Sequence, residues 1–361
     1  MTELATTLCG VTLPGPLVLS SGPLSHDGPA LVRAHRAGAG AVVTKTIRLN
    51  PAVNPVPHMA VLGRSSMLNA EKWSDLEATQ WITLEIPMAA RAGVVVIASL
   101  GHTPREVQEL AGPAARAGAS FLELVSYAAA DLVPMVEAAA GCGVPVLAKL
   151  SPGWGDLAGH ARRCLEAGAA GITAVDSYGP ALAIDVATGR PVTGGEGGRG
   201  WLSGEAIKPL ALQAVAEIAL QHRCPLVGVG GVGSASDALA MLMVGATAVG
   251  VCTVALVKGL GVLSTINRDL QQLLERHGYP SLAAARGVSL PFLARGESTG
   301  RLEFSYDPKT CTGCRRCVDQ CPYQARELHD RSMILDARLC RHCGLCAGLC
   351  APRALQVTSR P

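Results

Sequence analysis

The sequence predicts an α/β protein that consists of a (β/α)8 barrel, over residues 1–297, and a smaller cysteine-rich domain, over residues 298–361. Three observations lead to this prediction. Short apolar runs alternate with longer Ala- and Leu-rich segments, as strands alternate with helices. Several joints between these segments repeat one glycine-containing pattern. Eight of the 13 cysteines lie in the last 61 residues, which sets that segment apart from the rest of the chain.

The composition excludes several classes of function. Of the 361 residues, 49% are apolar and 16% are charged, so the chain can bury a large core and is not disordered. The formal net charge of +3 is too small to predict a nucleic-acid partner. The sequence has no apolar run of about 18 residues and no basic start of a signal peptide. We expect a cytoplasmic protein with no membrane partner, in which closely spaced cysteines bind metal rather than form disulfides.

Eight runs are apolar enough to be strands buried on both faces. They are residues 17–22, 41–47, 94–100, 121–126, 145–151, 171–177, 225–231 and 248–253. Eight strand–helix units of this length suit a closed TIM barrel, in which the site forms at the carboxyl ends of the strands. An open, doubly wound sheet is the alternative.

The connections between these runs carry further information. Gly38, Gly118, Gly168 and Gly245 each precede a strand, at the place where a left-handed helix cap favours glycine. The first sixteen residues are expected to form a hairpin that closes the bottom of the barrel. Residues 48–73 and 178–203 form two long connections on the catalytic side, which predicts two irregular lids over a substrate.

Two cysteine motifs follow each other in the C-terminal segment. Both have the spacing C-x2-C-x2-C-x3-C, formed first by Cys311, Cys314, Cys317 and Cys321 and then by Cys340, Cys343, Cys346 and Cys350. The segment resembles bacterial two-cluster ferredoxins, in which the fourth cysteine of each motif ligates the other 4Fe-4S cluster. Cys350 would then complete the first cluster, and Cys321 the second. Two structural zinc sites are the alternative.

The clusters imply a second cofactor in the barrel. They deliver single electrons, whereas reduction of an organic bond takes two, so we expect a flavin as the converter. Its phosphate would lie where strands seven and eight end, since residues 228–234 read GVGGVGS and precede a helix. Lys45 and Lys149 lie near the ends of the second and fifth strands, where a cation stabilises an anionic reduced flavin. A Schiff-base aldolase also explains both lysines but leaves the clusters without a role.

Several segments of the barrel resemble the class 1 dihydroorotate dehydrogenase family. They are SSG at 20–22, VVTKTI at 42–47, NPVPH at 54–58, LAKLSP at 147–152, SGEAIKPLAL at 203–212, VGVGGVGSASDAL at 227–239 and GATAVGVCT at 245–253. With the two-cluster tail, the chain is similar to the iron–sulfur subunit of bacterial dihydropyrimidine dehydrogenase. The resemblance implies FMN in the barrel and reduction of a C=C bond in a pyrimidine-like ring.

The resemblance also implies roles for individual residues at the cofactor. Those along the flavin ring or near the substrate are Ser21, Gly22, Lys45, Thr46, Asn69, Asp176 and Ser177, with Lys149 at the N1/O2 edge. Those at the flavin phosphate are Ser203, Gly204, Gly230, Gly231, Cys252 and Thr253. Cys252 stands where the family usually has glycine.

The chain departs from the family at its acid/base loop. Strand four of the family ends in ELN and a Ser-Cys-Pro loop with the catalytic cysteine, whereas residues 123–129 read ELVSYAA here. Val125 replaces a substrate-binding Asn, and Asp176 replaces another. Valine forms no hydrogen bond and an ionised carboxylate only accepts them, so the usual turnover of orotate or pyrimidines is not expected.

A proton donor must still face the flavin. Tyr127 is the nearest replacement for the missing cysteine, because a phenol can act as an acid. Lys45 and His102 are further catalytic candidates on the rim, followed by His58 and Tyr178. Each also has a plain structural interpretation, such as a tyrosine packed on its loop or a surface histidine.

The sequence therefore predicts an FMN- and iron–sulfur-dependent oxidoreductase that acts on a C=C or C–N bond of a small, non-standard substrate. A non-catalytic electron-transfer subunit of a larger complex is the alternative. Because no NAD(P)-binding domain is visible, we expect a separate NAD(P)H reductase subunit or a ferredoxin as electron donor. A homodimer or hetero-oligomer is expected.

Overall fold

The computed structural model describes residues 3–297 and 299–359, and the chain divides into two compact units between Ala294 and Arg295. Residue 298, where the sequence places the start of the C-terminal domain, lies outside the described residues.

The described residues of the first unit form sixteen strands. In chain order they are β1 (Thr6–Leu8), β2 (Val11–Leu13), β3 (Leu17–Leu19), β4 (Ala41–Val43), β5 (Met59–Leu62), β6 (Ser66–Asn69), β7 (Val96–Leu100), β8 (Phe121–Leu124), β9 (Val146–Leu150), β10 (Gly171–Ala174), β11 (Tyr178–Ala181), β12 (Ile184–Asp185), β13 (Arg190–Pro191), β14 (Gly200–Gly204), β15 (Leu226–Val229) and β16 (Ala248–Val251).

The helices of this unit lie mostly between the barrel strands. They are α1 (Gly28–Arg36), α2 (Ala78–Gln80), α3 (Ile86–Arg91), α4 (Pro104–Arg116), α5 (Ala129–Ala138), α6 (Leu157–Glu166), α7 (Lys208–Gln221), α8 (Ala235–Met243), α9 (Thr253–Lys258), α10 (Val262–Arg276), α11 (Leu282–Ala285) and α12 (Leu290–Leu293). A π-helical segment, Trp81–Glu85, joins α2 to α3. Within the described residues, no helix is both long and apolar enough to cross a membrane.

Strands β3, β4, β7, β8, β9, β10, β15 and β16 are parallel and close into a barrel in chain order. Each matches one of the eight apolar runs, so the predicted (β/α)8 barrel is confirmed and the open sheet is excluded. The runs are continuously apolar because both strand faces are covered, by the barrel interior and by the helices. The four glycines before the strands have φ between 106° and 113°, as the predicted caps require.

The amino-terminal hairpin closes the lower end of the barrel. Strands β1 and β2 pair antiparallel, and Leu8 and Leu13 are fully buried against the lower barrel interior. At the turn, the Cys9 thiol donates to the carbonyl oxygen of Ala170, just before β10, at 3.3 Å. The predicted hairpin is confirmed, and the upper end of the barrel remains for the site.

The two long connections differ from their prediction. Instead of two irregular lids, they join in one four-stranded antiparallel sheet with the order β11-β14-β6-β5. Trp201 of β14 pairs with Asn69 of β6, and Leu202 pairs with both Leu68 and Tyr178. The pairing of β6 with β14 joins the backbone polar groups of one connection to those of the other, which neither segment indicates alone.

In its described residues, the second unit contains two antiparallel strand pairs and two short helices. Strand β17 (Glu303–Tyr306) pairs with β20 (Leu355–Ser359), and β18 (Arg326–His329) pairs with β19 (Ser332–Leu335). The helices are α13 (Arg316–Asp319) and α14 (Leu345–Gly348), and they carry Cys317 and Cys346. The two cysteine motifs therefore take equivalent places in the fold.

Candidate functional site

One large cavity opens at the carboxyl ends of the barrel strands. Its empty volume is about 1400 Å³, including its open mouth. Its wall contains sixteen barrel residues of the predicted site: Ser21, Gly22, Lys45, Thr46, Asn69, His102, Tyr127, Lys149, Asp176, Ser177, Ser203, Gly204, Gly230, Gly231, Cys252 and Thr253. The described wall residues do not include His58 or Tyr178.

One end of the cavity is rich in small polar groups. The Thr253 hydroxyl donates to the Ser203 hydroxyl at 2.8 Å, which joins the end of β16 to the lid sheet. Among the described residues, no acceptor is recorded for the backbone N–H groups of Gly230 and Gly231. Gly231 has φ of 72°, and a Cβ there would lie 2.5 Å from the Cβ of Lys208. Hydroxyls and free amides of this kind fit a phosphate group.

Cys252 lies at the same end but faces the first barrel strand. Its sulfur is 3.9 Å from the carbonyl oxygen of Ser21 and 3.1 Å from the position that a Cβ on Gly22 would take. Burial raises the pKa of the Cys252 thiol to about 11, so the side chain is neutral at pH 7.

Lys149 forms the charged floor of the cavity. It extends from β9 between Glu123 of β8 and Asp176, and its Nζ atom is 3.6 Å from a carboxylate oxygen of each. The backbone N–H of Asp176 donates to Leu150 at 2.9 Å, which holds its carboxylate beside the lysine. Burial alone would lower the pKa of Lys149. The negative charges of Asp176 and Glu123 outweigh this effect of burial, so the pKa of Lys149 is raised. A Schiff-base lysine needs a lowered pKa, so this geometry contradicts the aldolase alternative.

Lys45 is also paired. Its Nζ atom lies 2.8 Å from the Glu71 carboxylate and 3.8 Å from that of Asp75, and the side chains of Lys45 and Glu71 are only 5% and 8% exposed. The pairing of Lys45 with Glu71 was not predicted, because the sequence separates them by 26 residues without any motif.

Four rings form another part of the cavity wall. The ring centroids of Tyr127 and His102 are 4.3 Å apart, with the rings edge to face. The Tyr127 ring is also stacked on that of Trp201, with centroids 5.9 Å apart, and the ring centroids of Trp73 and His102 are 5.7 Å apart. We call these four side chains the aromatic cluster. Sequence reasoning found Tyr127 and His102 but missed Trp73 and Trp201, since their positions depend on the folding of the two lids.

The aromatic cluster holds its polar groups in defined protonation states. Burial, aided by the Arg48 guanidinium, lowers the pKa of His102 to about 4, so its ring is neutral at pH 7. Desolvation and the Asp176 carboxylate raise the pKa of Tyr127, although Arg48 opposes them. Tyr127 therefore keeps its phenolic proton at neutral pH.

The loop after β8 is held firmly although it lacks the family's cysteine. Val125 is 8% exposed and gives the cavity an apolar wall. The Ser126 hydroxyl donates to the carbonyl oxygen of His102 at 3.1 Å and accepts from the Ala128 N–H at 3.1 Å. These bonds fix the loop that presents Tyr127.

The second unit contains two smaller cavities of about 340 and 310 Å³. One is lined by Cys311, Cys314, Cys317 and Cys350, and the other by Cys321, Cys340, Cys343 and Cys346. In the described part of the chain, no three His, Cys, Asp or Glu side chains are grouped closely enough to hold a single metal ion. The sulfurs of each set are instead spread around a cavity wall.

Each set of cysteines also receives hydrogen bonds. Backbone N–H groups donate to Cys311, Cys321, Cys340 and Cys350 at 3.3 to 3.5 Å. The Nε atom of Arg326 donates to the sulfur of Cys346 at 3.1 Å. Donors at thiolate sulfur fit an iron–sulfur cluster, which carries negative charge on its ligands.

Two protein families match parts of the chain. Residues 107–274 match the family described as dihydroorotate dehydrogenase, and residues 304–327 match a 4Fe-4S binding domain. The first family uses FMN, and the second match indicates a 4Fe-4S cluster.

Individual relatives extend this match over most of the chain. The catalytic subunit of dihydroorotate dehydrogenase B (NAD(+)) from Methanosarcina mazei is 33% identical over 78% of this chain and 94% of its own length. The same subunit from Pyrococcus furiosus is 30% identical over 78% of this chain and 97% of its own length. These relatives do not show the expected similarity to the dihydropyrimidine dehydrogenase subunit, which stays a prediction. The chain therefore belongs to the dihydroorotate dehydrogenase family of oxidoreductases acting on CH–CH groups, and it carries in addition a 4Fe-4S binding domain.

Proposed function

We propose that this protein is an FMN- and iron–sulfur-dependent oxidoreductase that exchanges two electrons with a C=C or C–N bond of a small planar substrate that is not a carboxylate. Electrons pass through two 4Fe-4S clusters in the second unit. The observation that carries the proposal is the pairing of every buried cation at the cavity with a carboxylate, in a cavity that otherwise fits FMN.

The FMN would lie across the barrel mouth. Its phosphate would accept hydrogen bonds from Ser203, Thr253 and the amides of Gly230 and Gly231, and Lys149 would face its N1/O2 edge. When bound, FMN supplies hydride transfer to or from the substrate and single-electron exchange with the clusters. Lys149 is suited to its place because it stays charged while buried.

The charge distribution argues against dihydroorotate, whose carboxylate needs a free cation. Lys45 is paired with Glu71, Lys149 with Glu123 and Asp176, and Arg48 with Glu106 at 2.8 Å. The carboxylate of dihydroorotate would have to displace one of these protein carboxylates from its cation. The displaced carboxylate would then be buried without a partner, which is unfavourable. Lys72, at the mouth, is exposed and so attracts an anion only weakly.

The remaining wall favours a planar ring with hydrogen-bond donors. Asp176 offers an acceptor oxygen, Val125 offers an apolar surface, and the aromatic cluster offers ring faces and edges. A neutral or cationic heterocycle with an N–H directed at Asp176 meets all three. Asp176 and Val125 therefore act as specificity-determining residues.

Tyr127 is proposed as the proton donor or acceptor at the substrate. Its side chain belongs to the cavity wall, and its phenol remains protonated at neutral pH, as a general acid must. His102 is neutral at this pH and supports the Tyr127 ring from its edge. Lys45, held by Glu71, would orient the substrate rather than carry a proton.

Two clusters, rather than two zinc ions, suit the second unit. Each cavity gathers three cysteines of one motif and the fourth of the other, which is the ligand exchange of two-cluster ferredoxins. Zinc draws four sulfurs into a tight tetrahedron at about 2.3 Å, whereas these sulfurs surround a larger space.

A reductase partner is proposed as the electron source. The relatives are named as catalytic subunits of an NAD(+) enzyme, which implies at least one further subunit in those proteins. NAD(P)H alone should leave the clusters of the isolated chain oxidised, and dithionite should bleach them. A relay subunit without its own substrate is the second candidate, favoured by the absence of the family's acid/base cysteine.

The proposal is tested on the anaerobically purified full chain. We expect one FMN and about eight irons per chain. In stopped-flow mixing, dihydroorotate should not reduce the flavin, whereas a panel of neutral and amino-substituted dihydro-heterocycles should contain a reductant. Flavin reduction by dihydroorotate at a saturable rate would contradict the substrate class, and a lack of flavin at full iron loading would contradict the enzyme class.

A further inference from the structure

Arg326 is a buried cation beside one set of cysteines. The residue is 5% exposed, and its Nε atom donates to the sulfur of Cys346 at 3.1 Å. Its Cζ atom lies 4.6 Å from the centre of the Phe304 ring. Its Nη2 atom is buried and, among the described residues, has no hydrogen-bond acceptor.

A buried guanidinium needs a negative partner. Within the described residues, no carboxylate forms an ion pair with Arg326. The nearby group of suitable charge is the site formed by Cys321, Cys340, Cys343 and Cys346, whose cavity Arg326 lines. The unpartnered Nη2 donor indicates that this site holds a charged group with further acceptors.

The other set of cysteines has no buried cation at the equivalent place, and the two arginines that line its cavity, Arg315 and Arg316, are exposed. Arg326 stands five residues after Cys321, and Leu355 stands five residues after Cys350. Leu355 is 2% exposed and lines the cavity of Cys311, Cys314, Cys317 and Cys350. The backbone N–H of Leu355 donates to Cys350 at 3.3 Å, but its side chain carries no charge.

We propose that Arg326 makes the cluster at Cys346 the stronger electron acceptor of the two, so that the first electron entering the pair resides there. This inference rests on the two-cluster part of the proposed function. Reduction adds one electron and one negative charge to a cluster, while Arg326 stays protonated, so its attraction is greater for the reduced form. Hydrogen bonds and charge at cluster sulfurs set reduction potentials in this way. Arg326 thus gives direction to electron flow within the second unit.

The test is a redox titration of the full chain followed by electron paramagnetic resonance. The wild-type protein should reduce in two one-electron steps, the upper step giving an uncoupled spectrum from one cluster. In Arg326→Met, the equilibrium constant for reduction in the upper step should fall at least tenfold, which lowers its midpoint potential by 59 mV for one electron. The midpoint potential of the lower step should change less. Arg326→Lys keeps the charge without the planar fork and should shift the upper step less, in the same direction.

Leu355→Met is the matched control, because it alters a buried side chain at the equivalent place without changing charge. It should leave the separation of the two steps unchanged. If the wild type binds eight irons and neither Arg326 variant moves the upper step, the inference is wrong and the proposed function stands. If the wild type binds fewer than two clusters, the proposed function fails and the inference fails with it. Should Arg326→Met lose iron, the Arg326→Lys titration decides.

Discussion

The Lys149 ammonium lies 3.6 Å from the Asp176 carboxylate at the upper end of the barrel, where the backbone N–H of Asp176 is bound to Leu150. The barrel itself enforces this pair, because Lys149 belongs to β9 and Asp176 follows β10, the next strand. The pair has two consequences. It keeps Lys149 charged while buried, and it places a negative charge where a flavin edge and a substrate would meet.

Lys149→Met should lower the two-electron midpoint potential of the bound FMN. The methionine has nearly the same length but no charge to stabilise an anionic reduced ring, and a loss of about 1.4 kcal/mol corresponds to about 30 mV. The substitution also removes the ion-pair partner of Glu123 and Asp176. We expect this loss to lower the free energy of unfolding by roughly 3 kcal/mol. Spectral redox titration and urea unfolding measure the two effects.

The control for Lys149 is Lys72→Met, which removes a cation from the exposed mouth of the same cavity. Its flavin potential and unfolding midpoint should match the wild type. An unchanged potential in Lys149→Met would show that Lys149 does not face the flavin, whatever happens to stability.

Asp176→Asn should act in the opposite direction. Loss of the carboxylate leaves Lys149 freer to stabilise a reduced flavin, so the midpoint potential should rise by about 30 mV. The amide also donates hydrogen bonds and repels no anion, so orotate should bind at least tenfold more tightly than to the wild type. Orotate affinity is read from its perturbation of the flavin absorption bands.

Asp75→Asn controls for a general change in charge, because Asp75 is 58% exposed and lies 3.8 Å from Lys45. It should change orotate affinity much less than Asp176→Asn. Equal gains from both variants would mean that the cavity responds only to net charge and that Asp176 has no specific role.

The sequence predicts those features that depend on neighbours along the chain. The eight strands follow from apolar runs, the four caps from one glycine each, and the two cysteine sets from fixed spacing. Lys149 and Asp176 were both found, because each lies at the carboxyl end of a recognisable strand. Features of this kind repeat a local rule that tertiary contacts do not alter.

Contacts between distant segments were not predictable in the same way. Glu71 pairs with Lys45 only because residues 48–73 fold into a sheet with residues 178–204, and the same sheet brings Trp201 onto Tyr127. Arg326 of β18 reaches Cys346 of α14, 20 residues further along the chain. Their sequences carry no periodic or spacing signal, since the contacts arise from the meeting of side chains after folding.

Tyr127→Phe should slow proton-coupled reduction of the substrate about 100-fold or more, because the ring is kept and the acid is lost. Reduction of the flavin by dithionite should not change. Since the pKa of Tyr127 is raised above 10, the wild-type rate in this direction should not fall between pH 7 and pH 9 through loss of the phenolic proton. Stopped-flow reoxidation by the substrate identified from the panel gives both results.

Trp201→Phe is the matched control for Tyr127, since it alters the stacked neighbour without removing an acid. It should reduce the rate less than Tyr127→Phe. Comparable losses in the two variants would assign Tyr127 to packing of the aromatic cluster rather than to proton transfer.

His102→Asn should make the stability of the barrel less dependent on acid. The pKa of His102 is lowered from 6.5 to about 4 by burial and by Arg48, so between these values the unfolded chain takes up a proton that the folded protein refuses. The wild type is therefore expected to lose up to about 3 kcal/mol of unfolding free energy as the pH falls from 6.5 to 4, at 1.36 kcal/mol per unit of pKa shift.

In His102→Asn this loss should be absent, and above pH 6.5 the difference in unfolding free energy between the two proteins should be constant. Urea unfolding followed by circular dichroism at pH 4.5, 5.5, 6.5 and 7.5 measures the slope. Parallel profiles for the wild type and His102→Asn would show that folding does not lower the pKa of His102, and would reopen its place among the proton donors.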